Sequence, residues 1–262
     1  RSWTGISYGS GYEGQGCVND EMPNYYVEFM KKHIFAYLNP PITSKVLPMY
    51  WYLGYNVYSK SVLEIGGVIL ASWIVPIHEN YDGLDYWCTC MFGEDNPSDP
   101  YLIPTDRALL DRRRKMILAP VLEKAVKAGN IIIPEEFEVG FDHVTNLIAG
   151  LGMEDDPNYY LTRGYPGSVN TYVFNSISEP ANNSYPPTNE ETFIGYMHLS
   201  MYYNQARLAE VYPADKYPFL TEKFAFVQKY LKDKYQIDLE AIANGPEDWD
   251  LPLPPIPETP DE

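Results

Sequence analysis

Positive charge is scarce in this chain: 19 Lys and Arg stand against 36 Asp and Glu in 262 residues. Nucleic-acid phosphates reward clustered cations, so the deficit argues against a nucleic-acid partner. Long apolar runs are missing too. No stretch reaches the roughly 18 apolar residues that a membrane-spanning helix needs. The longest, GGVILASWIVPI at 66–77, is β-branched and ends near a proline, which predicts a buried strand. Cysteine occurs three times. Cys88 and Cys90 are too close in sequence to bridge each other easily, whereas Cys17 could pair with either. A CxC metal site needs further ligands, and none stands nearby. A buried thiol or one long-range disulfide is expected.

Histidine is limited to His33, His78, His143 and His198. No two lie within helical reach of each other, so HExxH and other short His-pair motifs are absent. His78-Glu79 begins like that motif, but residue 82 is Asp, and a surface turn at a strand end is expected. No GxSxG, phosphate-binding loop or helix-opening GxGxxG is present.

What the chain does have is tyrosine, 24 copies against 10 phenylalanines. Such rings fill a core and its margins, and their polar tips also suit surfaces that stack sugars or peptides. The length allows one large domain or two small ones, with a core that needs no disulfide support. The first residue is Arg rather than Met, so a processed chain with any export signal removed is expected. Residues 1–20, rich in Gly and Ser, read as a flexible arm. Residues 245–262 are Pro-rich and acidic, and read as an extended, exposed tail. Between them, 21–244 reads as one α+β domain.

Within that domain, residues 22–38 carry Tyr26, Phe29, Met30 and Ile34 at helical spacing. Residues 46–58 and 62–75 read as strands separated by an SKS turn, with Gly66 and Gly67 inside the second strand pattern. Irregular chain follows over 79–105. Thr105 or Asp106 then caps a long helix that Pro120 should kink or divide. PEEF opens another helix, with Pro134 in its first turn, running to about Ala149 and ending near Gly150 or Gly152. Residues 151–187, dominated by Tyr, Pro, Asn and Gly, form a long irregular excursion of the kind that is usually functional. Thr188 caps a helix over about 189–209, with Glu191 at capping-box spacing. A last helix over about 215–235 aligns Leu220, Phe224, Val227 and Leu231 on one stripe.

Two side-chain groups stand out. On the 189–209 helix, Glu191, Gly195, His198 and Tyr202 share a face, and Glu123 could join Glu191 and His198 as a metal donor. Glu191 also has a local capping role, and a single His is most often a satisfied side chain. The run Arg112-Arg113-Arg114-Lys115 spreads around a helix, so it is expected to pair with the chain's own carboxylates at the surface.

Several stretches resemble a known family. LPMYWYLGYNVYS followed by EIGGVIL is similar to its paired strands, and PEEF resembles the segment after its zinc helix. YPPTNEETFIGYMHLSMYY resembles a YAxxxPxEDFxE helix, and YPFLTEKFAFVQKYLKDKYQIDLEAI its closing helix. The family is the zinc-binding metallopeptidase-like lipoproteins of Bacteroidetes, also described as substrate import-associated zinc metallohydrolase lipoproteins. The resemblance spans roughly residues 25–243 and implies a zincin-like α+β domain. It also implies an exported outer-membrane lipoprotein working beside SusC/SusD-like uptake proteins. Attachment would be by an N-terminal lipid anchor, and a glycan or peptide would be the ligand.

The family's zinc helix reads HEFxHxLHQ, with two His on the metal and the Glu polarising water. Anchored on PEEF, that motif falls on Val121, Leu122 and Ala125, and the acidic residue of the later helix falls on Gly195. The resemblance therefore implies a scaffold without its catalytic residues. Zinc is not expected, and Val121, Leu122, Ala125, Glu123, Glu191, Gly195 and His198 would surround a vestigial cleft. The alternatives are an active zinc hydrolase using Glu123, Glu191 and His198, or a structural subunit of an uptake complex.

Overall fold

The computed structural model describes residues 10–16, 21–65, 68–76, 79–80, 86–90 and 107–251. Helices, a five-stranded sheet and a two-stranded pair make up an α+β chain among the described residues. It divides into two compact units, one of residues 1–32, 48–110 and 250–262, the other of 33–47 and 111–249.

The first unit holds the five-stranded sheet. Residues assigned by composition to a flexible arm instead supply β1 (Ser10–Gly16), antiparallel to β2 (Tyr50–Ile65). The aromatic and β-branched residues at either end of β2 favour strand. The strand runs unbroken through Ser59-Lys60-Ser61, where a turn is expected from sequence. β3 (Val68–Pro76) pairs with β2 from Ile65↔Val68. Gly66 and Gly67, and the expectation attached to them, lie outside the described residues.

The expectation that 66–77 is buried is also corrected: Val68, Ile69 and Leu70 are 60%, 62% and 57% exposed. β3 pairs only with β2 among the described residues, and this end of the ribbon extends past β1, whose pairing stops at Ser61.

The stretch expected to be irregular contributes β4 (Glu79–Asn80) and β5 (Tyr86–Cys90). β5 runs parallel to β2 from Tyr50↔Tyr86 to Gly54↔Cys90. Gly54 makes room there, since a Cβ would stand 3.2 Å from Cys88 Sγ and 2.9 Å from Val57 Cγ2. Cys90 is buried, and its Sγ accepts from the Val57 amide. Cys17, His78, Thr105 and Asp106, and the expectations attached to them, lie outside the described residues. α1 (Glu21–Phe29) packs as its spacing predicts, with Tyr26 and Phe29 fully buried. The Tyr26 hydroxyl donates to Gly54 O at 2.6 Å.

The second unit is helical. α2 (Pro40–Thr43) is a single turn capped by Asn39. α3 (Arg107–Lys127) passes through Pro120 undivided. The basic run on α3 is not at the surface: Arg113, Arg114 and Lys115 are buried. Arg114 pairs with Asp111, donates to Ile242 O at 2.9 Å and lies against the Trp249 ring. Trp249 also makes an edge contact with His33 at 5.2 Å, so the start of the Pro-rich tail is docked rather than free. Four adjacent charges cannot share one helix face; Asp111, a turn earlier on α3, pairs with both Arg114 and Lys115, and Arg114 also reaches the distant Ile242 carbonyl and Trp249 ring.

α4 (Glu135–Glu138) is one turn rather than a helix to Ala149. Gly140 takes φ +94, and Asp142 Oδ1 then accepts from the Val144 and Thr145 amides, which turns the chain away from a helix. The long excursion that follows is pinned by backbone bridges and by the short pair β6 (Ser168–Val169) and β7 (Ile177–Ser178). Arg163 donates to Thr145 O at 2.6 Å and the Tyr196 hydroxyl to Gly164 O at 2.5 Å.

α5 (Asn189–Tyr202) opens with the Thr188–Glu191 capping box. It ends earlier than expected, because Asn204 caps a separate helix, α6 (Gln205–Val211). α7 (Pro218–Tyr235) starts at its proline and buries the whole Leu220, Phe224, Val227, Leu231 stripe. α8 (Leu239–Asn244), capped by Asp238, closes the unit. α5 buries residues from Thr192 to Met201 with only Gly195 part-exposed, the pattern of a helix enclosed by its neighbours.

Candidate functional site

A cleft of about 750 Å³ opens in the second unit. α5 contributes Glu190, Glu191, Ile194, Gly195 and His198, and α3 contributes Glu123 and Lys127. The opposite wall comes from the excursion: Tyr165 to Val169, Thr171, Pro180 and Tyr185 to Pro187. Gly195 brings the two walls together, since a Cβ there would lie 3.2 Å from Pro166 Cγ. Tyr165 is fixed by donating to Asp142 O at 2.7 Å, and burial pushes its hydroxyl up to about 12. At the rim Tyr185 is 82% exposed.

Of the residues singled out from sequence, Glu123, Glu191, Gly195 and His198 line this cleft, whereas Val121, Leu122 and Ala125 do not. Those three are fully buried in the core. Helix geometry gives the reason. At about 100° per residue, Val121 and Ala125 stand roughly 160° around α3 from Glu123. The α3 residues that face the cleft at i, i+4 are Glu123 and Lys127, two positions further along than the PEEF-anchored register. Tyr202, one turn beyond His198 on the same face of α5, does not line the cleft and stacks on Phe174 at 6.4 Å.

The polar groups are arranged around one carboxylate. Lys127 Nζ donates to Glu123 Oε1 at 2.6 Å, and this bond raises the lysine's pKa. Glu123 Oε2 lies 3.8 Å from His198 Nε2. His198 is 8% exposed, and its Nε2 has no hydrogen-bond partner. Burial pushes the imidazole pKa down to about 4, against the opposing pull of Glu123, so the ring is neutral near pH 7. Glu191 is occupied locally: one oxygen accepts from both the Thr188 amide and hydroxyl, which lowers its pKa.

This donor set does not fit zinc. A metal site needs three or four ligands; among the described residues no group of three or more His, Cys, Asp or Glu is placed to hold one. Glu123 and His198 are two donors, and the Lys127 ammonium already sits on the carboxylate.

Sequence reasoning missed Lys127 and Glu190, whereas the 165–187 wall lies within the 151–187 excursion singled out from sequence. The first carried a signal, because Glu123 and Lys127 are an i, i+4 pair of opposite charge.

No protein-family model matches the chain, and no curated protein matches it. A solved structure from Bacteroides caccae, provisionally named a zinc-binding metallo-peptidase, is similar at 14% identity with a TM-score of 0.45. The match covers 88% of this chain and 77% of that one. At that level the likeness establishes neither a shared fold nor a shared activity.

Proposed function

We propose that this protein is a non-catalytic, metallopeptidase-like binding protein whose cleft takes a glycan or peptide. The Glu123–Lys127 ion pair carries the reading. A helix that offers a metal two side chains from one face presents them at i and i+4. The cleft-facing i, i+4 positions of α3 hold a carboxylate and an ammonium tied to each other, and the ammonium repels a dication. The cleft is nevertheless of the size that binds small ligands, walled by an aromatic and proline-rich segment.

The motif resemblance supports the rest of the proposal: a zincin-like scaffold, export, lipid anchoring at the outer membrane, and a place beside a SusC/SusD-type nutrient uptake system. Metal analysis after dialysis against zinc tests the first part. The expected result is far less than one zinc per chain. Stoichiometric zinc, lost in both Glu123→Gln and His198→Gln, would overturn it in favour of a hydrolase. A glycan and peptide array is expected to give a ligand whose binding weakens in Glu123→Gln. Absence of any ligand, with co-purification of a SusC/SusD-like pair, would instead mark a structural subunit of the uptake complex.

A further inference from the structure

Glu123 Oε2 and His198 Nε2 stand 3.8 Å apart, close enough for one donor nitrogen beside the pair to serve both. Two acceptors 3.8 Å apart both reach a nitrogen placed about 2.8 Å from each. The other carboxylate oxygen is already held by Lys127, so Oε2 is the one turned to the imidazole. His198 lines the cleft, and its Nε2 is buried and unpartnered, which disfavours leaving it without a donor. The neutral imidazole accepts at Nε2 when its proton sits on Nδ1.

Charge selects the donor. The cleft lining carries three carboxylates, Glu123, Glu190 and Glu191, against the single Lys127 ammonium. An anion is repelled, and a neutral donor forgoes the attraction. A cation on an apolar stem suits this lining, which also holds Tyr185 and the neighbouring prolines.

We propose that the cleft seats a primary ammonium or guanidinium group, carried on an apolar stem, bridging Glu123 Oε2 and His198 Nε2. This rests on the cleft being a ligand site, as argued above, and narrows the ligand to a cationic class such as a lysine-like side chain.

The test uses Nα-acetyl-lysine methylamide and its Nε-acetylated analogue as probes, titrated into the intact protein. Calorimetry and the His198 ring signals in NMR report binding. The charged probe is expected to move the His198 signals and to bind about tenfold tighter than the acetylated analogue. Glu123→Gln is expected to lose that preference. Lys127→Gln, which removes the competing internal cation, is expected to keep or strengthen it; loss of binding in this variant would indicate an anionic ligand and overturn the proposal. Equal binding of both probes, or of neutral glycans alone, would overturn the ammonium seat while leaving the cleft a binding site. Zinc alone moving the same signals at one equivalent would overturn both readings. If no probe moves the His198 signals, the seat does not exist.

Discussion

His198 gives a quantitative handle on the cleft through acid stability. Burial lowers its pKa from an ordinary 6.5 to about 4. The unfolded chain therefore binds a proton at this residue over a window where the folded chain does not. Stability contributed by the neutral ring is intact above pH 6.5, falls as the pH drops, and is fully lost below pH 4. A shift of that size corresponds to about 3 kcal/mol in total, with about 2 kcal/mol already lost at pH 5. His198→Gln removes the titration and keeps a polar side chain of similar reach. Urea unfolding of both proteins from pH 7 to pH 4 isolates the difference, because the other carboxylates titrate in both. Wild type is expected to lose about 2–3 kcal/mol more than the variant across that range. Glu123→Gln serves as the control for the one carboxylate that faces the ring. Parallel stability curves, or an NMR titration of His198 centred near 6.5, would refute the reasoning, since either means that the imidazole is not held neutral by its surroundings.

Two further expectations follow from buried features of the second unit. Lys223 is buried and donates to the carbonyls of Phe137 and Val139, both at 2.8 Å, with Phe141 and Phe219 around its ammonium. Lys223→Met leaves those acceptors without a charged donor and is expected to cost about 2–4 kcal/mol in urea unfolding; a loss below about 1 kcal/mol means that the carbonyls find water. Gly164 has φ +76, and a Cβ there would stand 2.4 Å from Phe219 Cδ1. Gly164→Ala is expected to cost about 2–4 kcal/mol and to loosen the cleft wall, seen as faster amide exchange over 160–169.

Much of the second unit was legible because its signals are local. Thr188 and Glu191 cap α5 from three residues apart, and the α7 stripe needs only the 3.6-residue period to be read. The failures have tertiary causes. The length of β2 depends on its neighbours: Ser59, Lys60 and Ser61 look like a turn but pair on both sides, with β1 and with β3. Arg114 looks like a surface charge until Trp249 and the Ile242 carbonyl arrive from the far end of the chain. One local signal was also passed over, the Asx turn at Asp142 that ends α4 after a single turn.

The cleft shows the same division more sharply. α3 from Met116 to Val126 is mostly apolar, so periodicity cannot say which side of it faces a ligand. Anchoring on a neighbouring motif put Val121, Leu122 and Ala125 at the site, yet these are core residues on other faces of the helix. The side that does face the cleft is recognisable only by its charges, Glu123 and Lys127, and only once α5 sets His198 opposite them. In this cleft the Glu123 carboxylate is held by the Lys127 ammonium. The substitution most informative about function is therefore Lys127→Gln, because it frees that carboxylate without moving the helix. A cleft made for a cation gains affinity from the change. One made for an anion loses the one positive charge among the described lining residues.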